Sequence, residues 1–402
     1  MKIALFTPLN PVRSGIADYN EEMLPELGTH ADIDLYVDGS YTPSNTRISG
    51  RFPIRIFNPG EFQQQDYDAI VYHMGNNYRA HKYIYEAMKM FPGIVVLHDY
   101  VLQGFYAEMM QANRDHARYL ELLQRFYPKD GPLLAQRMID RLPHPIWESE
   151  LAIQFPLNEE VIGMAKGLIV HSAFLETLVR KKHALPIARI PHHGHDLPPL
   201  DRLELKRELG FSADDLVLLS TGYVTKNKRY EAIIPALSAA AIANLKYVII
   251  GQDEANYLKV LAQGKALTVI RRGFVALADL EKHIAAADIC LNLRYPTMGE
   301  NSGSLLRMMS GAKPVLVSNT GSYRELPDEA VIKIGCDVDE KEMIKRFVRA
   351  LAEDADFRQS IGAEAASYVR RECSIAGCAR RYAEFIASVL APAGAHDGKR
   401  RH

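Results

Sequence analysis

Residues 294–326, with the strand that enters them, constrain the chain more than any other stretch. A short apolar run, Ala287-Asp288-Ile289-Cys290-Leu291-Asn292-Leu293, enters a loop containing Gly299, Ser302 and Gly303, and a helical segment follows with Leu305, Met308 and Met309 on one face. Gly311 ends that helix, and Pro314 to Ser318 forms the next strand. The pattern is a βαβ unit of a parallel sheet. Its turn is also an anion site, because the backbone N–H groups of Ser302, Gly303 and Ser304 open a helix whose dipole favours negative charge. Glu300 stands in the turn itself, where a core residue would be apolar and a plain loop has no need of a carboxylate.

The same unit recurs along the chain. The strand Lys2 to Thr7 enters a loop with Gly15 and then a helix from about Ala17 to Leu27, a second candidate anion cradle. Ile33 to Val37 continues the sheet, Asp68 to His73 ends on Met74-Gly75-Asn76-Asn77, and Ile94 to Leu97 ends on His98-Asp99. Histidines, amides and glycines thus gather at strand carboxyl ends, the edge where open α/β sheets bind ligands. Residues from Val101 to about Glu160 have helical spacing without strand breaks and read as a helical excursion. Gly167 to Ser172 returns to strand and helix with Ser172 as N-cap, and His171 reads equally as a core histidine or a contact. Four prolines between Ala184 and Leu200 mark a boundary.

From Leu216 the alternation restarts. Leu216 to Thr221 leads into Gly222-Tyr223-Val224-Thr225-Lys226-Asn227-Lys228-Arg229, where three cations crowd a turn before a helix from about Tyr230 to Ala239. Such cations read as a solvated turn or, beside a helix N-terminus, as the holders of a diphosphate. Later strands end at Gly251 and at Arg271-Arg272-Gly273-Phe274-Val275. Helices of about Glu340–Glu353, Asp356–Arg371 and Ser374–Leu390 close the chain before a small, polar, basic tail that reads as disorder.

At 402 residues the chain exceeds what one core supports, so two domains are expected. Its 48 basic and 49 acidic residues cancel, which disfavours a nucleic-acid partner. Cys290, Cys336, Cys373 and Cys378 lack zinc spacing and read as reduced thiols of a cytoplasmic protein, with no metal implied. The apolar start stops at Pro8 and no later run spans a bilayer, so any membrane contact is peripheral, at the inner face. No G-x-G-x-x-G follows the first strand, which argues against a dinucleotide dehydrogenase. The expectation is an α/β protein of two Rossmann-like domains, with parallel sheets facing across a cleft. Residues 1–190 form the first domain with its excursion at about 101–160, 191–200 the linker and 201–380 the second domain; 381–402 hold a C-terminal helix crossing back to the first domain and the tail.

Several segments together resemble the retaining glycosyltransferases of the GT-B fold in family four. PLNPVRSGIADY at Pro8 to Tyr19 resembles that family's N-terminal glycine loop, His98-Asp99 its active-site histidine segment, and GYVTKNKR at Gly222 to Arg229 its phosphate loop. GENSGSLLRMMSGAKPV at Gly299 to Val315 resembles its sugar-nucleotide signature, in a GE-x-SG variant. The resemblance implies transfer of a sugar from a nucleoside diphosphate, UDP- or GDP-linked, to a glycan or lipid-linked hydroxyl, with retained anomeric configuration and no metal or cofactor. It implies a role in surface polysaccharide synthesis. His98, Glu300 and Lys228 would be the catalytic groups; Gly15, Lys228, Arg229, Ser302, Gly303 and Ser304 would hold the diphosphate. Asp99, Gly222, Gly251, Gly273, Phe274, Val275, Asn301 and Arg307 would meet the donor sugar and nucleoside, and Asp18, Tyr19, His73, Asn76 and Asn77 the acceptor. The sequence departs from the family where a second glutamate is expected: counting back from Pro314 that position is Arg307, counting forward from Glu300 it is Met308. Tyr223 replaces the usual arginine of the phosphate loop. Competing readings are a GT-B-like sugar-nucleotide epimerase, a glycogen-type phosphorylase, or a non-catalytic sugar-nucleotide-binding protein.

Overall fold

The computed structural model describes residues 1–139, 146, 149–195, 197, 200–253, 257, 258 and 267–391. The expected tail beyond 391 and part of the expected linker lie outside the described residues.

The chain divides into two compact units. The first comprises Met1–His192, Met298–Asn301 and the chain from Ile375 onward; the second comprises His193–Thr297 and Ser302–Ser374. Among the described residues the first holds seven parallel strands: β1 Lys2–Phe6, β2 Asp32–Val37, β3 Ile54–Ile56, β4 Ala69–Met74, β5 Ile94–Leu97, β6 Gly167–Val170 and β7 Ile187–Arg189, in the order β3-β2-β1-β4-β5-β6-β7. The second, again among the described residues, holds six parallel strands: β8 Leu216–Thr221, β9 Leu245–Ile250, β10 Thr268–Arg272, β11 Ile289–Asn292, β12 Val315–Ser318 and β13 Ile332–Ile334, in the order β10-β9-β8-β11-β12-β13. Each sheet grows outward from its first strand, reverses, and grows the other way. The reversals fall between β1 and β4 and between β8 and β11, and a doubly wound sheet opens a ligand crevice beyond the carboxyl ends at such a point.

Burial follows the strand period. In β1, Ile3 and Leu5 enter one apolar cluster while Ala4 and Phe6 enter the cluster on the opposite face. Both faces are covered, so the strands read as continuous apolar runs. The helix Gly15–Leu27 and the C-terminal helix Ile375–Leu390 pack on the Ile3 face, bringing Tyr382 and Ile386 into that core. On the other face the helix Tyr78–Met90 and the excursion helices Gln103–Asn113 and His116–Phe126 cover Phe6, Tyr72 and Leu97. In the second unit Leu305, Met308 and Met309 of the helix Gly303–Ser310 are buried against Cys290, Val315 and Val317, the apolar face that the spacing predicts. No helix among the described residues is long and apolar enough to cross a membrane.

A buried ion pair holds the amino end of β11. Asp288 accepts from Lys206 Nζ at 2.7 Å and from Val217 N at 2.9 Å, and also pairs with Arg202. Lys206 Nζ donates in addition to Asp215 O at 2.6 Å. Because both members are buried, removing one strands the other's charge. Asp288→Ala is expected to cost about 3–5 kcal/mol, and Asp288→Ala with Lys206→Met clearly less, as read from urea unfolding. Equal losses in the two variants would contradict the stranded-charge account.

Candidate functional site

The carboxyl edge of the first unit is built by loops that satisfy their own polar groups. After β1, Asn10 N donates to Glu21 and Asn10 Nδ2 donates to Asp18 at 2.9 Å, which fixes the loop before the helix Gly15–Leu27. Ser14 caps that helix by accepting from Ile16 N at 3.2 Å. A Cβ on Gly15 would meet nothing within 4 Å, so the fold itself does not demand glycine there. After β4, Asn76 N donates to Asp99 Oδ2 at 2.8 Å, Asn76 Oδ1 accepts from Phe105 N at 2.8 Å, and Asn77 caps the helix Tyr78–Met90 by accepting from Ala80 N at 3.0 Å. These asparagines do structural work at helix starts, as their residue type favours.

Beneath that edge lies a cluster of aromatic rings. His73 Nδ1 and His98 Nε2 are 2.9 Å apart. Tyr19 packs against His98 at 4.9 Å between ring centroids, His171 at 5.5 Å, His192 at 4.7 Å and His73 at 6.0 Å. Its hydroxyl meets that of Tyr382 at 2.8 Å. Burial, helped by neighbouring imidazoles, holds the pKa values of His73 and His98 well below the ordinary histidine range. Burial also pushes His81 and His171 down to about 4, against the raising effect of their backbone hydrogen bonds. The imidazoles are therefore neutral at pH 7. Tyr19 and His73 are almost wholly inside the fold, whereas His98 retains 8 % exposure at the end of β5.

In the second unit the two loops at the reversal of the sheet follow adjacent strands, β8 and β11. Lys228 closes a short turn after β8, 7 % exposed, and its Nζ donates to Thr221 O at 2.5 Å. Gly222 (φ +92°) leaves room for that ammonium: a Cβ there would stand 2.6 Å from Nζ. Gly251 (φ +149°) is fixed in turn, because a Cβ on it would strike the Gly222 carbonyl. Gly222 N donates to Ile250 O and Gly251 N to Arg272 O, so the ends of β8, β9 and β10 are stitched together by backbone. Arg229 turns its guanidinium to Glu340, with Nε to Oε1 at 3.0 Å and Nη2 to Oε2 at 2.5 Å, and to Glu231 at 2.7 Å. The hydrogen bonds to Glu340 raise its pKa above the ordinary arginine range despite partial burial. Two carboxylates offset the Arg229 charge, and Lys228 is the buried cation of the loop.

After β11, Asn292 Nδ2 donates to Ser304 Oγ at 3.1 Å and Asn292 Oδ1 accepts from Tyr323 at 3.1 Å, so one amide ties the strand end to the start of the helix Gly303–Ser310. Ser302 caps that helix, accepting from Leu305 N at 3.3 Å, and the N–H groups of Gly303 and Ser304 lie in its first turn, where no intrahelical acceptor exists. Glu300 Oε2 accepts from Met298 N at 2.7 Å, closing its own turn. That segment, with Asn301, packs in the first unit, where Val101 N donates to Met298 O and Gly299 (φ +75°) lies against Tyr100. Arg307 and Met308 separate sharply. Met308 is core, while Arg307 reaches within 3.8 Å of Glu281 on the helix Leu277–Ala286. Glu281 thus places a carboxylate beside the position where the sequence lacks one. At the end of β10, Gly273 has open space around a would-be Cβ, Phe274 is 65 % exposed and Val275 leans on the core.

Sequence reasoning did not single out Glu340, Glu281, Tyr323, His192 or Tyr382. Asn292 had a signal in being polar within a buried run; Tyr382, 363 residues from its partner, had none. Among the described residues no group of three His, Cys, Asp or Glu side chains is arranged to hold a metal ion.

The family model described as glycosyl transferases group 1 matches residues 201–368. No curated protein matches the chain in sequence. Among solved structures, the chain is similar to HepE of Anabaena in complex with UDP and glucose, with a TM-score of 0.64 at 17 % identity over 96 % of this chain and 100 % of that one. It is similar to a sucrose-phosphate synthase of Thermosynechococcus elongatus, with a TM-score of 0.67 at 14 % identity over 97 % and 99 %. WaaG, a glycosyltransferase involved in lipopolysaccharide biosynthesis, gives 0.61 at 15 % identity over 96 % and 99 %. At these identities the likeness establishes the fold, which is GT-B: two Rossmann-like domains of parallel strands and helices.

Proposed function

We propose that the chain is a glycosyltransferase that moves a sugar from a nucleoside diphosphate, with UDP-glucose the first candidate, to a hydroxyl of a glycan or lipid-linked acceptor, with retention at the anomeric carbon. One observation carries the reading. The loop bearing Lys228 and the N-terminus of the helix Gly303–Ser310 follow neighbouring strands at the reversal of the second sheet, inside the segment that matches the glycosyl transferases group 1 model. A buried ammonium and unpaired first-turn N–H groups at one sheet edge suit a departing diphosphate. The complex of HepE with UDP-glucose supports the choice of donor, and the involvement of WaaG in lipopolysaccharide biosynthesis supports a surface-glycan acceptor.

In this reading residues 201–380 hold the donor and 1–190 the acceptor. The bond between the anomeric carbon and the diphosphate oxygen breaks as the acceptor oxygen bonds on the same face, and the acceptor proton passes to the departing phosphate oxygen. Lys228, Gly303 and Ser304 offset the developing charge without a metal. Gly15, with its open Cβ side, lets the donor approach the backbone; Glu300 and Asn301 hydrogen-bond donor-sugar hydroxyls, and His98 meets the sugar from the end of β5. The bland exposed positions Gly273 and Phe274 serve the nucleoside. Arg229 acts through Glu340 as a clamp on the phosphate loop.

The test is a panel of UDP-, GDP-, dTDP- and ADP-sugars followed by melting temperature and turnover. A donor at a hundred times its Kd adds about 2.7 kcal/mol of stability, so one clear responder, UDP-linked, is expected. The product assayed by NMR is expected to keep the anomeric configuration. Binding without turnover on any hydroxyl acceptor, or an inverted product, overturns the proposal.

A further inference from the structure

The buried histidines of the first unit share a hydrogen-bond logic that reaches the candidate site. His171 Nδ1 lies 2.9 Å from Ile190 O and His81 Nδ1 lies 2.8 Å from Asn77 O. A carbonyl only accepts, so both rings carry the proton on Nδ1, and both Nε2 atoms are buried without a partner. His73 has the same orphan: its Nε2 is buried and unpartnered, while Nδ1 faces His98 Nε2 at 2.9 Å. Two arrangements can fill that contact. If His98 Nε2 donated to His73 Nδ1, the proton of neutral His73 would sit on Nε2, leaving an N–H sealed away from any acceptor. If His73 Nδ1 donates to His98 Nε2, the sealed atom is a bare lone pair. Buried N–H groups without acceptors are the rarer and costlier defect, so the second arrangement wins.

From this we infer that His73 is a positioning residue that fixes His98 as the Nδ1–H tautomer, so that His98 meets its ligand as a hydrogen-bond donor through Nδ1. His98 Nε2 is occupied by His73, and His98, unlike the other three rings, is not sealed at its remaining nitrogen. The lowered proton affinities of His73 and His98 keep both rings neutral, so the donor is an imidazole and not an imidazolium. The ligand class is a neutral acceptor atom, such as a sugar hydroxyl or ring oxygen, and a general-base role for His98 at Nδ1 is excluded by the proton already there. The assignment of that ligand to the donor sugar rests on the glycosyltransferase reading; the tautomer does not.

Long-range proton–nitrogen NMR on the 15N-histidine-labelled full chain at pH 7.5 reads the tautomers directly. Nδ1 protonated in both His73 and His98 is expected; Nε2 protonated in His98 overturns the inference. Activity gives the second arm. The Asn amide places its nitrogen where a histidine carries Nδ1, and the Gln amide places it nearer Nε2. His98→Asn is therefore expected to retain at least about tenfold more kcat/KM than His98→Gln. His73→Phe should lower kcat by about tenfold, the worth of one well-placed hydrogen bond, with little change in KM, and His73→Asn, whose amide can donate to His98 Nε2, should restore most of it. Equal activity of the two His98 variants, or no rescue by His73→Asn over His73→Phe, overturns the positioning role. A chain that shows the expected tautomers but turns over no sugar donor would instead remove the glycosyltransferase reading.

Discussion

Lys228→Met is expected to lower kcat/KM by about 10²- to 10³-fold, the usual loss when one preorganised charge at a developing anion is removed. Methionine keeps most of the buried stem and its packing while discarding the ammonium, so stability should change little. The loss should appear in kcat with any UDP-sugar that turns over, because charge on the diphosphate grows as its bond to the sugar breaks. Lys228→Arg is not expected to rescue. Lys228 Nζ donates to Thr221 O at 2.5 Å, and Gly222 leaves just enough space for an ammonium beside it; a planar guanidinium does not fit that geometry. Arg229→Met is a useful contrast. Its guanidinium is bound by Glu340 and Glu231, so its removal should act through loop order and cost stability first. If Lys228→Met transfers sugar at the wild-type rate, Lys228 is not the diphosphate cation and the proposed mechanism fails.

Acid should loosen the first unit steeply between pH 6.5 and 4. His81 and His171 have folded pKa values of about 4 because burial penalises their charged forms, while in the unfolded chain histidine titrates near 6.5. The folded value is the lower one, so the unfolded state binds more protons as the pH falls. Their contribution is intact above about pH 6.5 and is lost on the way down to the folded value. At 1.36 kcal/mol per unit, each ring withdraws about 3 kcal/mol by pH 4. His73 and His98 shift in the same direction. Two to four such rings rival the total stability of an ordinary domain, about 5–15 kcal/mol. Hydrogen exchange of the β4 and β5 amides should therefore accelerate with an apparent uptake of two or more protons across this range. An uptake below one proton would mean that the cluster hydrates or rearranges instead of holding its imidazoles dry.

Much of the architecture is legible in the sequence. Apolar strands that end in Gly, His or cationic turns, each followed by a helix, predict parallel α/β units, and both sheets are of that kind. Leu305, Met308 and Met309 share the buried face that their spacing predicts, and Ser172 caps the helix Ala173–Arg180 as its residue type predicts. These features are local, set by period, chirality and capping within a few residues. The GT-B fold, expected from motif order, agrees with the solved structures.

The sequence by itself determined which backbone segments are strands, helices and the turns that join them, and placed Lys228, Glu300 and His98 in the loops that follow strands. The tertiary structure alone decided what those side chains face. Arg229 and Lys228 are adjacent in the chain and alike in charge, yet one is held by Glu340, 111 residues away, and the other lies against Thr221 O. Arg307 and Met308 are neighbours with equal claim to the missing glutamate, and helix phase sends one to the core and the other to Glu281. Tyr19 and His73, which read as groups for an acceptor, lie inside a ring cluster completed by Tyr382, 363 residues downstream. Local sequence fixes backbone conformation through short-range sterics and hydrogen bonds. The protonation state and direction of a side chain depend on burial and on partners that the chain delivers from far away, and no window of sequence contains those.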